Sequence, residues 1–132
     1  MKFIFFLSLV FAISVPHVSG SDKDKKTPQN TNVLKNVNRL RARRGLHALV
    51  SDSEMNKIAR IISTKRAARG RCGHLRGWHA GTAKSEGVGC RTGNDPNGLR
   101  FISCCLYDKK WRSAGAAATV RNGKTYYTLL VK

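Results

Sequence analysis

Acidic side chains are scarce in this sequence: seven Asp and Glu stand against 25 Lys and Arg, a formal net charge of +18 over 132 residues. A surplus of that size points to anionic partners. Long apolar runs are scarcer. The one from Phe3 to Val15 falls short of the ~20 apolar residues that cross a bilayer, and no later segment is apolar enough to anchor the chain. Lys2 before that run and the small residues Val18, Ser19 and Gly20 after it have the layout of a signal peptide. Residues 1–20 are therefore expected to be removed from a secreted, extracellular protein. There is no Gly-x-Ser-x-Gly elbow, which leaves acyl-transfer chemistry without support. No internal repeat or low-complexity tract is present either, and residues 21–132 suit one domain but not two.

Cysteine is sparse but even in number: Cys72, Cys90, Cys104 and Cys105. In an exported chain four cysteines read as disulfides, which help a small domain whose core is modest. Cys104 and Cys105 are poorly placed to bond to each other, because neighbouring Cα atoms lie ~3.8 Å apart, below the usual range of ~4.4 to 6.8 Å. The expectation is that Cys72 and Cys90 each reach one of them.

Residues 21–31, "SDKDKKTPQNT", are polar, contain a proline and show no apolar period, so they read as a flexible leader to a single domain over 32–132. Val33, Leu34, Val37 and Leu40 then recur at helical spacing until Gly45. Arg39, Arg41, Arg43 and Arg44 near the end of that helix suit the negative end of its dipole. A second helix is expected after "SDSE", with Ser51 as N-cap, Glu54 completing a capping box, a buried stripe of Met55, Ile58, Ala59 and Ile62, and a stop at Gly70. "KSEGVGC" reads as a short strand. "GLRFISCCLYDKKW" fits helix or strand. In "AAATVRNGKTYYTLLV" strand-favouring residues flank Asn122 and Gly123, the pair suited to a type I′ hairpin turn. Tyr126 and Tyr127 should point to opposite faces of the second strand, leaving at most one exposed.

The stretch from Arg71 to Cys90, "RCGHLRGWHAGTAKSEGVGC", holds two histidines, a glutamate and two cysteines without a clear period. The order of features around it resembles the CAP superfamily, the secreted proteins grouped around cysteine-rich secretory proteins, antigen 5 and plant pathogenesis-related proteins. The resemblance rests on "VLKNVNRLRARRGLHAL", the acidic-capped "SDSEMNKIARII", the Gly73–His74 pair, "SEGVG" around Glu86, and the closing "KKWRSAGAAATVRNGKTYYTLLV". It implies an α+β fold: a reduced α/β/α sandwich with two N-terminal helices and a small antiparallel sheet ending in a hairpin. It also implies a cleft remnant at His74 and Glu86. The family's second cleft histidine would fall at Ile102, and no second acidic residue stands out at a matching position.

Two ligands do not make a zinc site, which generally takes at least three. His79 could add one, but Cys72 is expected in a disulfide, so no metal or cofactor is expected. A second reading is a small basic ribonuclease in which His74 and Glu86 act as acid and base, with Arg71, Arg76 and Arg91 neutralising phosphate. The preferred reading is a non-enzymatic binding protein. Its partner would be anionic membrane lipid, cell-wall polymer or nucleic acid, and the resemblance adds sterol or lipid. Trp78 and Trp111 read as core or loop anchors rather than stacking platforms.

Overall fold

The computed structural model describes residues 30–76, 81–93, 99 and 103–132. In chain order the elements are α1 (Asn30–Ala42), β1 (Val50–Ser51), α2 (Ser53–Ala68), β2 (Ser85–Thr92), the short α3 (Ser103–Leu106), β3 (Ser113–Arg121) and β4 (Lys124–Val131). The expected signal peptide, Trp78, His79 and Ile102 lie outside the described residues, as does the side chain of Cys104. Helix α1 begins at Asn30, inside the stretch read as leader.

The strands form one sheet in the order β1-β3-β4-β2. The sheet is mixed rather than antiparallel as expected: β4 pairs antiparallel with β2 and β3, but β1 runs parallel to β3, with Val50 opposite Ser113. Two residues are too few to leave a periodic signal in the sequence, so β1 is visible only through its bonds. Val50 N donates to the Arg112 carbonyl and Asp52 N to that of Ala114, both at 2.9 Å. Past the end of β1, the Asn56 side chain takes over, its Oδ1 accepting from Ala116 N at 3.0 Å. A backbone donor that the short strand leaves open is thereby satisfied. Between β3 and β4 the chain reverses at Asn122 (φ 50°) and Gly123 (φ 67°), with Arg121 opposite Lys124.

Each face of the sheet carries its own cluster. On one, Val33 and Val37 of α1, with Leu49, Leu99 and Leu106, pack against Ala114, Ala116, Tyr127, Leu129 and Val131. On the other, Met55, Ala59 and Ile62 of α2 pack with Leu75 against Ala117 and Leu130. Alternation along the strands sorts these residues, and because helices cover both sides, Tyr126 and Tyr127 are both buried. The run Ala114-Gly115-Ala116-Ala117-Ala118 keeps β3 thin enough for close approach from both sides. At Gly115 a Cβ would collide with the backbone of Met55 and Asn56.

The capping of α2 differs from the expected box. Ser51 belongs to β1, and Asp52 is the N-cap, accepting from Met55 N at 3.0 Å; its other oxygen meets Lys132 Nζ at 3.1 Å. The Met55 backbone bond first, and then Lys132, hold the Asp52 carboxyl below its ordinary range. Its folded pKa is depressed, so its contribution is complete above the ordinary carboxylate pKa of ~3.9 and is lost as pH falls through the folded value. Thermal unfolding at stepped acidic pH should show that loss in the wild type, and a smaller one in Asp52→Asn. Equal pH dependence in the two proteins would contradict it.

Candidate functional site

Helix α2 ends at Ala68, and the chain then folds over the edge strand β2 on the α2 side of the sheet. Register places Glu86, Val88 and Cys90 opposite Leu130, Thr128 and Tyr126, so these β2 side chains face that segment. Two links fasten it. Cys72 is disulfide-bonded to Cys90 with Cα atoms 5.2 Å apart, and His74 Nδ1 lies 2.5 Å from Glu86 Oε2.

The disulfide corrects the expected pairing of Cys72 and Cys90 with the later cysteines. Folding of the 71–76 segment onto β2 brings the two together directly. Cys105 instead is a thiol buried on the opposite face, its Sγ 3.1 Å from Ser85 Oγ. The two linked cysteines are 18 residues apart, and closing a loop of that size stabilises a fold by about 3 kcal/mol. The Cys72→Ser/Cys90→Ser variant should lose that amount in denaturant unfolding. A loss below about 1 kcal/mol would mean that the link constrains little.

A third fastening was hidden in the sequence. Arg66, in the last turn of α2, is wholly buried. Its Nε donates to the Gly73 carbonyl at 3.1 Å, Nη1 to that of Tyr127 at 2.5 Å and to Thr128 Oγ1 at 3.3 Å, and Nη2 to the carbonyls of Cys72 and of Gly89, the latter at 3.2 Å. One guanidinium thus ties α2, the 72–73 backbone, β2 and β4. Burial pushes its pKa down to about 10, and the nearby Glu86 carboxylate offsets part of that, so Arg66 is still a cation at neutral pH. The signal that could have found it is its phase: Arg66 continues the buried series Met55, Ala59, Ile62 at helical spacing.

The His74 side chain is 61% exposed and that of Glu86 19%. The carboxylate fixes Nδ1 and leaves Nε2 outward, an arrangement that can orient an imidazole or pass a proton. It supplies one acid/base unit. Among the described residues no three His, Cys, Asp or Glu side chains form a group able to hold a metal ion. The three candidate anion ligands do not converge: Arg71 and Arg76 are exposed at the two ends of the 71–76 segment, whereas Arg91 alternates with Cys90 and lies on the other side of β2.

No protein-family model matches this sequence, and no curated protein matches it. Solved structures do match. An extracellular protein containing an SCP domain from Bacillus anthracis superposes with a TM-score of 0.56 at 12% identity, over 78% of this chain and 40% of its own. An outer surface protein from Borrelia burgdorferi superposes with a TM-score of 0.57 at 15% identity, over 76% of this chain and 90% of its own. The chain thus spans well under half of the Bacillus protein. At these identities the likeness is one of fold. It is the fold of SCP domains, the CAP superfamily whose motif order the sequence resembles. No helix among the described residues is long and apolar enough to cross a membrane.

Proposed function

We propose that this is a secreted, strongly basic protein built as a reduced α/β/α sandwich of the SCP type, which acts by binding an anionic or lipidic partner outside the cell. The observation that carries this reading is where the charge sits. Among the described residues, Arg41 and Arg66 are the only Lys or Arg side chains that are buried; nearly all the others are exposed. Four described carboxylates, Asp52, Glu54, Glu86 and Asp108, oppose them, and all but Glu54 are engaged by Lys132, His74 or Lys110. A surface so unbalanced attracts polyanions over several ångströms of solvent. The extracellular SCP-domain neighbour and the apolar run near the start of the chain support secretion.

The test is binding of the folded, disulfide-intact protein to polyanions and anionic vesicles across a salt series. Attachment at low salt should collapse by ~0.5 M, where screening reaches only a few ångströms. Attachment that persists at that ionic strength would overturn the electrostatic reading.

A further inference from the structure

At the far end of α1 two segments distant in sequence are joined around a buried cation. Arg41 donates from Nε to the His47 carbonyl at 3.0 Å and from Nη1 to the carbonyls of Leu106 and Asp108, at 2.9 and 3.0 Å. Around it the exposed cations form a connected set. Arg44 Cζ lies 3.6 Å from the centre of the Tyr107 ring, and Lys110 Nζ lies 4.5 Å from that of Trp111. Arg112 Nη1 meets His47 Nε2 at 2.6 Å and donates to the Lys109 carbonyl at 2.9 Å. His47 Nε2 also lies 2.6 Å from the Trp111 carbonyl, so this nitrogen either accepts from Arg112 or, when protonated, donates to Trp111.

Two features mark this cluster off from an ordinary solvated basic surface. Arg41 Nη2 and Trp111 Nε1 are buried and have no hydrogen-bond partner among the described residues. The N–H groups of these two nitrogens at the base of the cluster therefore remain uncompensated, where buried donors are normally paired. Among the described residues its one side-chain carboxylate, Asp108, is bound to Lys110 at 3.1 Å and cannot neutralise five cations.

We propose that this surface, formed by Arg44, Lys109, Lys110, Arg112 and Trp111 over the buried Arg41, is a binding site for a sulfated polysaccharide. The inference rests on the reading of the protein as a binder of anionic partners and names the site and the chemistry. A repeating sulfate ester presents separated charges that exposed guanidinium and ammonium groups can each take. Nucleic acid fits less well, since single strands are held on open aromatic faces, while Tyr107 and Trp111 pack against the core and are covered by Arg44 and Lys110. Insertion into a membrane, as distinct from attachment by charge, needs a group of apolar side chains. Of the large apolar side chains exposed among the described residues, Val50, Ile61 and Val120, only Val50 adjoins the cluster, its N–H bonded to the Arg112 carbonyl.

Heparin is the probe, titrated at several salt concentrations into the wild type, into Arg44→Gln/Lys110→Gln/Arg112→Gln, and into Arg71→Gln/Arg76→Gln. All five substituted side chains are exposed, and unchanged melting temperatures check the folds. The triple variant should bind at least tenfold more weakly at ~0.15 M salt, with a salt slope shallower by about two to three; the double variant should bind within twofold of the wild type. Heparin binding unchanged in the triple variant and lost in the double one would overturn this site while leaving the general reading intact. RNA or anionic vesicles binding tighter than heparin would overturn the assignment to sulfated polysaccharide. No attachment to heparin, RNA or vesicles even at low salt would overturn the general reading and this site with it.

Discussion

Arg66→Met is expected to destabilise the domain by about 3–5 kcal/mol. A buried acceptor left without its donor costs about 1–3 kcal/mol, and several lose theirs at once. Methionine fills much of the space but supplies nothing to the carbonyls of Cys72, Gly73, Gly89 and Tyr127 that Arg66 now serves. Since a domain of this size has a total stability of roughly 5–15 kcal/mol, the loss should be large in any denaturant curve. It should also be local. Amide exchange at residues 71–76 should accelerate more than that of α1, because α1 packs on the opposite face of the sheet. Arg66→Lys should recover less than half of the loss: a compact ammonium retains the charge but cannot span acceptors on the 72–73 backbone and on β4 at once. A methionine variant within about 1 kcal/mol of wild type would show that water satisfies those carbonyls as well as Arg66 does.

Gly115→Ala should cost at least about 3 kcal/mol, the upper part of the range for overpacking a close-fitted core. The added Cβ would occupy the position of the Met55 and Asn56 backbone, and a helix backbone cannot yield as a side-chain tip can. Helix α2 would have to lift away from β3. Lifting would also break the bond from Ala116 N to Asn56 Oδ1 and loosen the packing of Met55, Ala59 and Ile62 against Ala117 and Leu130. Thermal unfolding measures the cost, and a drop in melting temperature of only a degree or two would mean that α2 is less closely seated than the structure places it.

Much of the fold could be read from local pattern, because the pattern and its cause lie in the same few residues. The 3.6-residue period of Val33, Val37, Met55, Ala59 and Ile62 sets two helices, and their buried sides are the ones expected. Gly45 (φ 67°) and Gly70 (φ 61°) follow the ends of α1 and α2, as their sequence positions imply. The N-cap of α2 was misplaced by one residue because Ser51 and Asp52 are equally good caps by type. Pairing of Val50 and Ser51 with β3 decided between them.

The candidate site was legible only in part. His74 and Glu86 stand in a recognisable order, but their contact depends on the 71–76 segment folding across β2. The cysteine pairing failed for a related reason. Spacing speaks against a bond between Cys104 and Cys105 but says nothing of the turn that carries Cys72 back to Cys90.

The two buried arginines give the plainest division between what the sequence determines and what only the tertiary structure decides. By phase alone, Arg41 continues Val33 and Val37, and Arg66 continues Met55, Ala59 and Ile62, so the sequence places both on the buried side of their helices. Composition argues the other way, since an arginine is rarely buried without partners. Those partners include backbone carbonyls 65 residues away at Leu106 and 61 away at Tyr127. A carbonyl is present at every residue and leaves no mark in a sequence, so side-chain pattern set the two long helices, the three long strands and the surplus of charge. Which carbonyls and which cysteine meet, and where the cations gather, was decided when the helices closed on the two faces of the sheet.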